Sequence, residues 1–187
     1  MPLILGIVAS GNYPRVTNSY ESISTQVLGS DSASVTFSSI PSTYKHLQVR
    51  IFGQTNRGTY SYDNAYLRFN SDTATNYADH ALYGTGSAAS AQAGSTRDNL
   101  RLGNGFLGTS TGGTFGINII DILDYADTNK YKTVRVLGGE DANGSGQVGL
   151  ASGLWRSTSA ISTILFGPDS SSLFKAGSSF ALYGIKG

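Results

Sequence analysis

His46 and His80 are the only two histidines in this 187-residue chain, which has no cysteine. Thiol nucleophiles, disulfides and thiolate metal sites are therefore excluded. Neither histidine belongs to an HExxH or HxH pattern, so a metal site would have to recruit carboxylates from elsewhere in the chain. His46 opens a strand-like run and His80 stands among Tyr77, Asp79 and Tyr83; both read as structural or surface histidines. The densest acidic group is Asp121, Asp124 and Asp127. Two carboxylates about 5 to 9.5 Å apart across a sugar site can hydrolyse a glycoside. At the end of a strand-like run, however, these three read as residues that stop the strand and shape its turn. Serine hydrolase chemistry has little to build on, since motif reading finds no GxSxG elbow and leaves two histidines to choose a base from.

Two glycine-rich strings mimic ligand sites. "GNGFLG" gives Gly103, Gly105 and Gly108 the spacing of a dinucleotide fingerprint, but a second glycine loop follows where a phosphate-binding helix belongs. "DANGSGQ" alternates Asp141, Asn143 and Ser145 as a calcium loop does, with Gly146 at the bend. Its twelfth position is Ser152 in place of the bidentate glutamate, and no flanking helices are expected. The pair Asn143-Gly144 suits a tight hairpin reversal better. No cofactor and no metal are expected. The tyrosines of "TYSYDNAY", namely Tyr60, Tyr62 and Tyr66, could stack on a host-surface glycan or fill a subunit contact, since tyrosine carries a polar tip on an apolar body.

The elements that must position these residues are strands. Short alternating runs recur from residue 20 to the end, about ten in number, with no amphipathic helix. Leu47, Val49 and Ile51 share one face of "HLQVRIF". Ile23, Thr25 and Val27 share another, as do Ile161, Thr163 and Leu165. Phe115, Ile117 and Ile119 oppose Gly116, Asn118 and Ile120. In "SSFALYGIKG", Phe180 and Leu182 point one way and Ala181, Tyr183 and Ile185 the other. A strand apolar on both faces belongs between neighbours in a sheet. "GTGSAASAQAGST" and "GTSTGG" read as mobile loops. Together these runs predict an all-β chain: an antiparallel β-sandwich, of jelly-roll type, or a barrel.

Composition sets the bounds. The 24 glycines would suggest disorder without the 11 Tyr, 8 Phe and 1 Trp spread along the chain. Charged residues make up 13% and the net charge is +1 with no basic block, which argues against nucleic acid or an anionic membrane as partner. No stretch approaches the roughly 20 apolar residues of a membrane span. The opening "MPLILGIVAS" lacks a preceding Lys or Arg and is short for a signal-peptide core. Because "PLILGIVA" is apolar without alternating and has no obvious place in a sandwich, residues 1–19 are expected to anchor the chain to neighbouring subunits or proteins, through Leu3, Ile4, Leu5, Ile7 and Val8, with residues 20–187 as one sandwich domain.

Five segments taken in order, "FSSIPSTYKHLQVRI", "YLRFNSDTATNYADHALYG", "IIDILDYADTNKYKTVR", "SGLWRSTSAISTILF" and "SSFALYGIKG", resemble a class of tailed-bacteriophage virion proteins common in marine and cyanobacterial phages. The resemblance covers nearly the whole chain after its first 19 residues. It implies a non-enzymatic particle component on a capsid or tail, assembled in the host cytoplasm with other virion proteins. It also implies a homo-oligomer, a trimer among the arrangements it allows. The alternative is a carbohydrate- or receptor-reading module on a tail fibre.

Overall fold

The computed structural model describes residues 19–58, 60, 62–103, 107–109, 111, 113–169 and 171–187. Residues Leu3, Ile4, Leu5, Ile7 and Val8 lie outside these. Among the described residues there is no helix, and fourteen strands follow one another. They are β1 (Tyr20–Val27), β2 (Val35–Phe37), β3 (His46–Thr55), β4 (Tyr62–Asp63), β5 (Ala65–Phe69), β6 (Tyr77–Gly84) and β7 (Ala89–Arg97). The second half of the chain gives β8 (Leu100–Arg101), β9 (Leu107–Thr109), β10 (Gly116–Leu123), β11 (Lys132–Asp141), β12 (Gly146–Trp155), β13 (Ile164–Pro168) and β14 (Ser179–Ile185).

The large sheet runs β1-β14-β3-β10-β11-β12-β6-β7 with antiparallel neighbours, and β9 joins it parallel to β3 and brings β4 along. A four-stranded sheet, β2-β13-β5-β8, packs on one of its faces. The result is a two-layer sandwich. Jelly-roll type is a finer statement than this order carries, because a jelly roll divides eight strands between its two sheets whereas these sheets hold ten and four.

Alternation decides which side chains are shared between the layers. Leu47, Val49 and Ile51 of β3, Ile120 and Ile122 of β10, Val134 and Val136 of β11, and Phe180 and Leu182 of β14 are buried. They meet Val35, Phe37, Leu67, Phe69, Ile164 and Phe166 of the small sheet. Rings lock the layers together, Phe166 lying 5.9 Å from Phe180 and Phe69 lying 5.4 Å from Trp155. Each such side chain contributes about 1.5–3 kcal/mol when fully buried. The terminal strand, β14, is held between β1 and β3 as its two apolar faces predict.

Three expectations are corrected. In β13 the inward residues are Ile164 and Phe166, with Leu165 facing out, because the strand begins only at Ile164; Ile161 is buried from the preceding loop. In β1 the register shifts between Ser22 and Ser24, so Ile23 and Val27 do not share a face; Val27 is exposed. The supposed loop "GTGSAASAQAGST" contains most of β7, a nine-residue strand at the sheet edge, held by its ladder to β6 and not by buried side chains.

Candidate functional site

The large sheet has a second face, and it is apolar. Strand register aligns Phe52, Ile117, Gly139, Val148 and Gly84 in one cross-strand row. The next row holds Arg50, Ile119, Leu137, Leu150, Leu82 and Ala91. Val148 is 63% exposed, Leu82 57%, Ile117 54%, Leu150 51% and Leu137 49%. In a half-buried antiparallel sheet these outward positions are normally polar. They are not polar here because β10, β11 and β12 carry aliphatic residues at outward as well as inward positions.

Glycines shape this face. Gly139 and Gly84 leave a trough beside Val148, forming part of a hollow of about 640 Å³ bounded by Phe115 and the β11–β12 turn. A second hollow of about 410 Å³ lies among His80, Leu82, Ala91, Arg135, Leu150 and Ser152. Phe115 stacks on Phe52, with ring centroids 4.7 Å apart, and walls off one end.

Charges on this face are satisfied within the chain. Asp121 accepts from Gln48 Nε2 at 2.9 Å and Arg135 Nη2 at 2.6 Å. Burial alone would raise its pKa, but these two partners outweigh burial and hold it low. Arg50 donates to Gln48 Oε1 at 3.0 Å and lies 5.0 Å from the Tyr183 ring.

The predicted chemical groups take separate places. His46 lies on β3 and His80 on β6, with β10, β11 and β12 between them. His46 Nδ1 accepts the Asp124 backbone N–H at 3.0 Å, so its role is to close the end of β10. Asp124 meets Lys130 at 2.5 Å and Lys45 at 2.8 Å, and hydrogen bonds from these two ammonium groups hold its pKa at about 2. Asp127 is also low, chiefly because it accepts the Asn129 N–H. A glycosidase needs one carboxyl of its pair held protonated, and all three of these are held ionised. Asp124 and Asp127 shape the β10–β11 connection as expected, but Asp121 does not: it lies within β10, paired across the ladder with Gln48 and Arg135.

Gly105 lies outside the described residues. Gly108 sits in β9, where a Cβ would meet the Thr114 carbonyl oxygen at 1.9 Å, so close backbone approach accounts for it without a phosphate. The string Gly108-Thr109-Ser110-Thr111-Gly112 carries the GxSxG spacing, a match that motif reading missed. Its Ser110 and Gly112 lie outside the described residues, and the element that follows is β10 where a nucleophile elbow needs a helix. Asn143 (φ 54°) and Gly144 (φ 113°) form the two-residue β11–β12 turn with paired positive φ. Ala142 donates to the Ser145 carbonyl at 2.8 Å across it, and Asp141 Oδ1 accepts the Asn143 N–H at 2.8 Å. The hairpin reading is the one the structure bears out.

Tyr60 and Tyr62 come together, centroids 6.2 Å apart, with the Arg57 guanidinium 4.3 Å from the Tyr60 centroid. Arg57 is fixed from beneath by the buried Asp63 at 3.0 Å. Tyr66 is elsewhere, its ring over Gly167 on the small sheet and Arg68 5.1 Å from its centroid. Two of the three tyrosines thus form one surface cluster.

Buried charges escaped sequence reading. Lys132 is fully buried, and its Nζ donates to the carbonyls of Asp127, Lys130 and Thr158 at 2.6, 2.9 and 3.1 Å. Asp79, 1% exposed, lies 2.7 Å from Arg97 Nε. The approach is off the hydrogen-bond direction, and burial still raises the Asp79 pKa. Glu140 faces the sheet interior opposite Gln147, and neither of its oxygens is hydrogen-bonded.

No protein-family model matches the chain, and no curated protein matches it.

Proposed function

We propose that this chain is a non-enzymatic structural component of a tailed-bacteriophage particle, displayed on the capsid or tail, attached through residues 1–19 and assembled as a homo-oligomer. The observation that carries this reading is the two-row apolar face spanning β10, β11, β12 and β6. A contiguous apolar patch of this kind is at the upper end of what monomeric soluble proteins expose, and such patches often mark contact surfaces. Aliphatic side chains supply no acid, base or nucleophile, so the face is suited to assembly and not to turnover. The order of the five phage-like segments adds the particle context.

The test is quantitative mass spectrometry of purified particles, counting this chain against the major capsid protein. Comparable copy numbers define a capsid-decorating protein and a small fraction defines a tail or fibre component; absence overturns the reading. A chain lacking residues 1–19 is expected to fold and to be missing from the particles.

A second reading, a tail-fibre carbohydrate module, is favoured by the Tyr60–Tyr62 cluster with Arg57 against one ring. Exposed aromatic faces stack on sugars, and an anchored guanidinium supplies hydrogen-bond donors. Binding on a glycan array that disappears in Tyr60→Ala, with folding intact, is the outcome this reading requires. An array without signal counts against it.

A further inference from the structure

We propose that the outer face of the large sheet is a two-fold self-association surface, on which a second copy of this chain packs sheet against sheet. The inference rests on the structural reading above and adds to it the partner and the symmetry. Three observations carry it.

The first is area. Phe52, Leu82, Ile117, Leu137, Val148 and Leu150 are each about half exposed. Together they leave on the order of 600 Å² of apolar side chain, as large as the largest patch on a typical monomer. A stable interface buries about 800 Å² per partner, for which this patch would form the apolar core and the adjoining polar row of Gln48, Asp121, Arg135 and Ser152 the rim.

The second is charge. Arg50, Asp121 and Arg135 at the margin of the patch are already bonded within the protomer, to Gln48 and to one another. Their hydrogen bonds are thus made without a partner, so what the face still asks for is apolar cover. An identical face meets that requirement.

The third is shape. An isologous contact must carry its knobs and its holes on the same patch. Here Val148, Leu150 and Leu82 stand up beside hollows floored by Gly139, Gly84 and Ala91. Two such faces can interdigitate at the roughly 10 Å spacing of packed sheets. Leu137 and Leu150, opposite one another in the middle of the patch, would lie nearest the two-fold axis.

The experiment is sedimentation equilibrium of the full chain at tens of micromolar, beside the double substitution V148K/L150K. The wild type is expected at twice the 19.6 kDa chain mass. The double variant is expected as a monomer, with self-affinity lowered by about 100-fold or more, as loss of central interface anchors does. Because the chain has no cysteine, single cysteines give a second readout that leaves the patch nearly intact. Leu150→Cys is expected to cross-link to itself with a short bismaleimide, and Thr36→Cys on the opposite layer is not. A monomeric wild type, a mass of three copies, a mass unchanged by V148K/L150K, or cross-linking through Thr36→Cys alone would each overturn the two-fold surface. A monomeric chain that is nonetheless counted in purified particles overturns this inference and leaves the virion reading standing.

Discussion

Glu140 is the residue most at odds with its surroundings. It is 7% exposed, its carboxylate oxygens accept no hydrogen bond, and its cross-strand neighbour Gln147 offers another unpaired acceptor. Burial, helped by the adjacent charge of Asp141, pushes its pKa up to about 7. Such a carboxyl is neutral in the folded chain and ionised in the unfolded chain between roughly pH 4.5 and 7. Its favourable contribution is therefore full below the unfolded value and is lost as pH rises through the folded one. Glu140→Gln, which cannot ionise, is expected to exceed the parent in stability by on the order of 2 kcal/mol at pH 8 and to match it at pH 4. Urea melts at the two pH values check this, and an equal difference at both would refute it. Asp124 is the contrasting case, held low by Lys130 and Lys45; being at the surface, that cluster fixes a turn and adds little stability. Neither environment is legible in the sequence, since both are made by residues brought together only by folding.

At the scale of elements, alternation located the strands well and their faces less well. "HLQVRIF", the Asn143-Gly144 hairpin and the interior position of β14 follow from period and turn chemistry alone. The face of β1 was not legible because a register shift at Ser22/Ser24 exchanges inside for outside. The strand β7 was missed because small polar residues resemble a linker, and its strand character comes from backbone pairing with β6. The role of Gly153 in β12 was hidden for a related reason: it admits the Leu100 side chain from β8 in the other layer. A Cβ there would meet Leu100 Cδ1 at 2.2 Å and Cγ at 2.6 Å, and Leu100 is fully buried with no room to retreat. Gly153→Ala is expected to cost about 1–3 kcal/mol by overpacking. A companion Leu100→Ala substitution should recover part of that loss in a double-mutant cycle.

For the whole molecule, the sandwich was legible and its exposed apolar face was only half so. Outward Leu, Ile and Val positions can be counted along β10, β11 and β12, but only the strand order sets them side by side. A different order would have scattered the same residues over the surface, where single exposed apolar side chains need no explanation. Their convergence is what turns an unremarkable composition into a contiguous apolar face. The most direct test is hydroxyl-radical footprinting of purified particles read by mass spectrometry. The account predicts that peptides of this chain are present, with Leu82, Leu137 and Leu150 protected while Tyr60 is oxidised. Outer-face leucines as reactive as Tyr60, or particles that lack the chain, would contradict it.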